Sequence, residues 1–320
     1  MTNNNNNNNN IIWLAKNYKK GIGDVKKKLV LLLMAFAIIT SSYDSIYASA
    51  DTNDKTIGVE IVGNYSKWND LSDLRAPYNI GKGITAEISN NNKGWKTKFY
   101  LKDETVHEND FKGVSLGGND DDYLDAVDLF IYAGHGIRPN YYGAVDYSLA
   151  LNPSKGGKYA KQSEMFVGNG NLEWLVTFTC NFLASKDKDR IGHMSKGVHS
   201  ICGYMDTIFL TDDMGKVFIK KLKSGMSVKQ AFFETSKETR PSQRVIDAAA
   251  EAVVIGNAIV GLPAYVGNEL ANRINRKTAA VFTTKKNADD RIWGYGNTTS
   301  DPEKYSNKTK DKYLFYTYVY

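Results

Sequence analysis

The sequence predicts an α/β protein with a mostly parallel sheet flanked by helices, and three observations carry that prediction. Short apolar runs recur at Leu129–Ala133, Leu175–Phe178 and Val198–Tyr204, each bounded by Gly, Asn, Asp or Ser. The stretches between them are long enough for the crossovers that parallel neighbours require. After Tyr204 the apolar spacing changes to the helical period. Strands joined by long connections favour a sheet with helices on its faces, and ligands then gather beyond the carboxyl ends of the strands.

Taken in order, Thr56–Tyr65 (TIGVEIVGNY) supplies a first strand and Trp95–Tyr100 a second. Asp122–Asp128 is short and polar but stands where a crossover helix is expected, just before the strand Leu129–Ala133. In Asp212–Leu222, Met214, Val217, Phe218 and Leu222 share one helical face. Ser227 caps a following helix through Ala231, Phe232 and Phe233. A third helix is expected over Ser242–Ile255. Residues 285–320 are polar and turn-rich and end in an aromatic, strand-like tail, Tyr313–Tyr320. The expected organisation is therefore residues 1–50, an α/β domain over 51–284, and a C-terminal segment, 285–320, packing on it.

The first fifty residues resemble an export signal rather than part of a fold. Lys26, Lys27 and Lys28 form a charged head, Leu29–Ile39 an apolar core and Ala48-Ser49-Ala50 a small-residue cleavage site. Eleven apolar residues are too few to span a hydrocarbon core, which takes about 20 in a helix. The expected product begins at Asp51, is secreted or held at the cell surface, and keeps no stable membrane span. A tract of eight asparagines precedes this segment, and translation starting near Val25 would leave the tract out of the precursor. N-terminal sequencing of the precursor tests that start.

Charge excludes one class of partner. The formal net charge is +6, but six lysines against two aspartates in the first fifty residues leave +2 for residues 51–320. No basic stripe with interleaved aromatics remains, so no nucleic-acid footprint is expected. The two cysteines, Cys180 and Cys202, are too few for a disulfide framework, and apolar burial must hold the fold. No C-x-x-C or H-x-x-x-H spacing suggests a metal, and no glycine-lysine phosphate loop occurs, so no cofactor is expected. The acidic cluster Asp120, Asp121, Asp122, Asp125 and Asp128 lacks the spacing and glycine of an EF-hand loop and is read as a solvated helix start.

The chemistry gathers at two strand ends. Gly134-His135-Gly136 follows Leu129–Ala133 directly, and Thr179-Cys180-Asn181 follows Leu175–Phe178. A parallel sheet would present both on one rim. A thiol near neutral pH is mostly protonated, and an imidazole beside it can take its proton or protonate a leaving amine. Attack of Cys180 on a scissile carbonyl, with His135 as acid and base, would create an anionic oxygen that needs donors already in place.

An apolar strand ending in His-Gly, followed 45 residues on by a second ending in Cys, resembles the pattern of caspases, gingipains, clostripain and legumain, the clan CD cysteine peptidases. The caspase separation is about 50 residues. The resemblance covers roughly Thr56–Thr235. It implies a caspase-like three-layer fold, a Cys180–His135 dyad, and an oxyanion hole made by the backbone N–H groups of Gly136 and Cys180. Together with Trp293-Gly294-Tyr295-Gly296, the motifs also resemble those of a group of secreted bacterial proteins. Thr179-Cys180-Asn181-Phe182 departs from the caspase signature, lacking Gln-Ala before the cysteine and Gly two residues after it. Preference at the cleaved bond, Asp or Glu against Arg or Lys, is therefore left open.

Each residue also has a plainer reading. His135 could cap a strand end, and Cys180 could be a small buried hydrophobe, the commoner fate of a free cysteine. Cys202 belongs to an apolar run and reads as core, unless it is oxidised to a disulfide with Cys180, which would remove the nucleophile. His199 packs in the core or, with Gly134, walls the site. His107 and His193 sit in polar contexts without a role. The leading expectation is a secreted cysteine endopeptidase or related amidase acting on a peptide or protein substrate. The alternative is an exported binding or adhesion module that retains the fold without turnover.

Overall fold

A computed structural model describes residues 55–68, 71–90, 94–153, 157–184, 187–241, 277–292 and 302–320, all within the unit Asp51–Tyr320. The expected signal segment and its Ala50 cleavage site, the helix expected over 242–255 and the Trp293–Gly296 loop lie outside the described residues.

In chain order the strands are β1 (Thr56–Ile61), β2 (Lys96–Lys102), β3 (Leu129–Ala133), β4 (Gly136–Ile137), β5 (Ser148–Ala150), β6 (Tyr159–Lys161), β7 (Trp174–Phe178), β8 (Ser200–Tyr204), β9 (Thr278–Thr284) and β10 (Tyr313–Val319). The helices are α1 (Ala76–Ser89), α2 (Glu108–Phe111), α3 (Lys188–Met194), α4 (Met214–Lys223) and α5 (Val228–Glu238). Seven strands form one sheet in the order β10-β9-β8-β7-β3-β1-β2, and β4-β5-β6 form a small second sheet. From β2 to β8 all neighbours are parallel, whereas β9 and β10 join antiparallel. This is the mostly parallel sheet flanked by helices that the apolar runs predict.

Layering follows from side-chain alternation. Ile57, Val59, Leu129, Ile131, Trp174 and Val176 meet Ile80 and Ile84 of α1, Phe218 and Leu222 of α4, and Phe232 of α5. Phe130, Tyr132 and Leu175 point the other way, onto Phe111 of α2, Ile191 of α3 and Leu149 of the small sheet. Both faces are covered, so β3 and β7 are buried at every position, which is why they read as near-continuous apolar runs. Fully burying one such side chain contributes roughly 1.5–3 kcal/mol. At one sheet edge, β2 alternates lysines with partly buried residues, a pattern that discourages further pairing.

Ser227 does cap α5, its side chain accepting from the Gln230 amide at 3.2 Å. The stretch Asp122–Asp128 does not form the expected crossover helix: 3₁₀ turns at Asp120–Asp122 and Leu124–Ala126 stand there instead. Nor is the acidic cluster simply solvated. Asp120 and Asp125 are buried, and Asp125 accepts from the Gly168, Asn169 and Gly170 amides at 3.0, 3.0 and 3.2 Å. The short side chains bond loop backbone, and that local pairing competes with helix formation. Among the described residues, no helix is long and apolar enough to cross a membrane, and no cluster of His, Cys, Asp and Glu could hold a metal ion.

Candidate active site

Strands β3 and β7 are hydrogen-bonded neighbours with Ala133 opposite Phe178, so the two chemical motifs leave the sheet together at its carboxyl rim. The Gly134 amide continues the ladder by donating to the Phe178 carbonyl at 3.3 Å. Two residues on, the backbones press closer still. A Cβ added to Gly136 would stand 1.9 Å from the Cys180 carbonyl oxygen and 2.6 Å from Thr179 Oγ1. Only glycine permits this approach, which gives the second glycine of Gly-His-Gly a structural reason.

Gly136 also opens β4. The Ala150 amide donates to the His135 carbonyl at 2.9 Å, and Gly136 faces Leu149. In an antiparallel ladder that makes Gly136–Leu149 a non-hydrogen-bonded pair, whose N–H and C=O point away from the partner strand. The Gly136 amide is thus directed away from β5. After β7 the chain turns at Asn181, in left-handed backbone with φ 59°, which asparagine tolerates. The Asn181 amide then donates to the Asp206 carbonyl at 3.2 Å, tying the turn to the segment after β8.

The imidazole of His135 is held from the β1 side. Its backbone N–H donates to the Tyr65 hydroxyl at 2.8 Å, the two rings lie 4.7 Å apart, and Nε2 is 3.0 Å from the Ser72 carbonyl. Tyr65 Oη itself donates towards the Val62 carbonyl at 3.2 Å. Since a carbonyl only accepts, Nε2 carries the proton in the neutral ring and Nδ1 keeps the lone pair. Burial holds the His135 pKa below its ordinary value, with the Ser72 contact opposing, so the ring is neutral near pH 7 and its Nδ1 is a free base.

Cys180 is engaged from the opposite side. The Ile208 amide donates to Sγ at 3.3 Å, and Sγ lies 3.6 Å from the Ile208 carbonyl. Burial pushes the thiol above its usual value, while the Ile208 amide and the positive charge of Lys277 act in the opposite sense. The resting pair is a neutral thiol beside a neutral imidazole. His135 and Cys180 share a rim, but each is hydrogen-bonded to a different neighbour and not to the other.

Other expected residues are sorted by position. Gly134 lies at the rim, where an added Cβ would meet the Tyr132 and Tyr65 hydroxyls at 2.6 and 2.7 Å. His199 does not wall the site. It precedes β8, its amide donates to the Glu173 carbonyl before β7, and its Nδ1 lies 2.7 Å from Asp290 Oδ2 in the core. That is the amino end of the parallel strands, opposite the rim that carries Cys180. Cys202 is buried opposite Val176, four residues before Cys180, and both cysteines are free thiols. Ser72 and Ile208 escape sequence reading because they act through backbone atoms. Tyr65, at the end of the first apolar run, is visible there as a strand residue only.

Residues 59–314, from β1 into β10, match the family model described as Domain of unknown function (DUF6345). The chain belongs to the DUF6345 family. The match takes in both strand-end motifs, β2, β3, β7, β8 and β9 in full, and parts of β1 and β10. None of the curated proteins compared with this chain matches it.

Proposed function

We propose that this DUF6345 protein is a cysteine peptidase-like hydrolase of peptide or amide bonds, secreted or cell-surface and of the caspase-like kind, in which Cys180 is the nucleophile and His135 the general acid and base. The observation that carries the reading is the in-register pairing of β3 with β7, which brings His135, Cys180 and the outward Gly136 amide to one rim. His135 Nδ1 takes the thiol proton as sulfur bonds to the scissile carbonyl carbon. The same proton then goes to the departing amine as the C–N bond breaks, and water releases the acyl group from the thioester. The Gly136 and Cys180 amides are the donors for the developing oxyanion. Because thiol and imidazole rest neutral, proton transfer accompanies attack, and side-chain rotation must first bring sulfur and Nδ1 together; looseness of this kind is ordinary in unliganded sites.

Hydrogen bonding of the Cys180 thiol to Ile208 favours a second reading, an exported binding module that keeps the fold without turnover. An electrophilic-carbonyl activity probe separates the two. Labelling of wild type that is lost in both Cys180→Ala and His135→Ala is the expected result. Labelling that persists in Cys180→Ala, or is absent from wild type with a correctly folded chain, favours the binding module.

A further inference from the structure

Lys277 acts on the Cys180 thiol by its charge but takes no part in the dyad's proton transfers. It stands just before β9, where Met205 donates its amide to the Thr278 carbonyl at 2.9 Å, and so lies beyond the carboxyl end of β8, on the rim that carries Cys180. It is 1% exposed, yet Nζ has no hydrogen-bond partner among the described residues. The ring of Phe209 lies against it, 4.6 Å from Nζ to centroid, and Phe209 follows the residue whose amide holds the Cys180 sulfur. An ammonium removed from water without a hydrogen-bonded anion is costly, and a ring face compensates only in part. Arg240, the other cation that acts on Lys277, adds to the positive potential there.

We propose that the Cys180 site takes substrates with an acidic side chain, Asp or Glu, at or beside the attacked carbonyl, and that the Lys277 ammonium binds that carboxylate. This rests on the reading of Cys180 as nucleophile and deepens it. A carboxylate entering from the rim displaces the half-exposed Phe209 ring and gives Nζ the hydrogen bonds it lacks. A neutral side chain would leave the ammonium unpaired, and a basic one would be repelled, so selection works by penalty as well as by attraction. Burial, reinforced by Arg240, brings Lys277 down to about 8. Around it among the described residues stand Arg240 after α5 and Cys180 after β7, and Tyr320 after β10, which donates its amide to the Lys277 carbonyl at 3.1 Å and in turn feels the charge of Asp206 after β8.

The test compares alkylation of Cys180 in the full chain by iodoacetate, an anion, and by iodoacetamide, its neutral counterpart, read by mass spectrometry at that residue. Both reagents attack the same thiolate, so Cys180 ionisation cancels in the rate ratio. Wild type should favour iodoacetate several-fold relative to a free cysteine peptide, Lys277→Gln should remove the preference, and Lys277→Arg should keep it. In wild type the preference should also fade as pH rises through about 8. Lys277→Gln removes a buried unpaired charge, so its melting temperature should be unchanged or higher. A wild-type ratio equal to that of the free peptide, or one that survives Lys277→Gln, overturns the proposal. Matched peptides with Glu, Gln or Lys at one position complete the test. Cleavage without a preference for Glu defeats the substrate assignment alone, whereas wild type that cleaves none of them defeats the hydrolase reading and leaves the alkylation ratio to judge Lys277.

Discussion

Gly136 and Glu60 show how single positions carry consequences that residue type does not announce. Replacing Gly136 by Ala puts a methyl carbon into the space of the Cys180 carbonyl oxygen. Overpacking of this kind costs about 1–3 kcal/mol, and here the strain falls on the turn that aims the thiol. Gly136→Ala is expected to lower the melting temperature and to reduce Cys180 probe labelling at least tenfold, as followed by thermal unfolding and labelling kinetics. Glu60 sits in β1 with no exposure and with neither carboxyl oxygen hydrogen-bonded to a described residue. Burial, and secondarily the charge of Asp110, pushes its pKa well above the usual value. The folded protein therefore keeps Glu60 protonated where the unfolded chain ionises it, above about pH 4.3. Unfolding then releases a proton, and stability falls as pH rises from there towards the folded value. Glu60→Gln removes that dependence. Its melting temperature should match wild type near pH 4 and exceed it by a margin that grows as pH rises above that; a constant difference would mean that Glu60 is ionised in the fold.

At the scale of elements, the central strands were legible and the acidic stretch before β3 was not. Leu129–Ala133 is apolar throughout and Trp174–Phe178 is interrupted only by Thr177, because helices cover one face and the small sheet and α2 the other. Asp125, by contrast, looks like a helix residue in the sequence. It is instead the acceptor for three successive loop amides 43 to 45 residues away, a partnership that no local pattern encodes. Its oxygens accept at both positions, and burial raises its pKa to about 7 against the pull of those amides. In Asp125→Asn one oxygen becomes an NH₂ group facing amide donors, leaving at least one buried N–H unsatisfied. The expected loss is about 1–3 kcal/mol, measured by denaturant unfolding, while Cys180 labelling of the folded protein is retained because this loop lies at the other end of the strands.

For the whole molecule, the C-terminal tail matters beyond its composition. Tyr313–Val319 looks strand-like in the sequence, and in the fold it is the last strand of the large sheet, antiparallel to β9 over seven residue pairs. Phe282 of β9 packs against Tyr313 and Phe315 at ring separations of 5.2 and 5.0 Å. Removing residues 313–320 uncovers both that ring and the β9 edge, and exposed edges pair with other chains. The truncated protein is expected to melt lower and to form larger species on size-exclusion chromatography.

What the sequence determined by itself was the material of the sheet and the place of the two motifs proposed to react. Predominantly apolar runs bounded by turn residues are satisfied by burial on both faces, and Gly-His-Gly and Thr-Cys-Asn stand directly at their ends. Tertiary structure alone decided which partners those groups have. The imidazole goes to the Ser72 carbonyl and the thiol to the Ile208 amide, His199 lies at the far end of the strands, and Lys277 arrives from a strand nearly a hundred residues after Cys180. The physical reason is range. Periodicity records whether a residue is buried, but a hydrogen bond or a charge acts over a few ångströms in space, and its partners come from chain segments that the sequence keeps far apart.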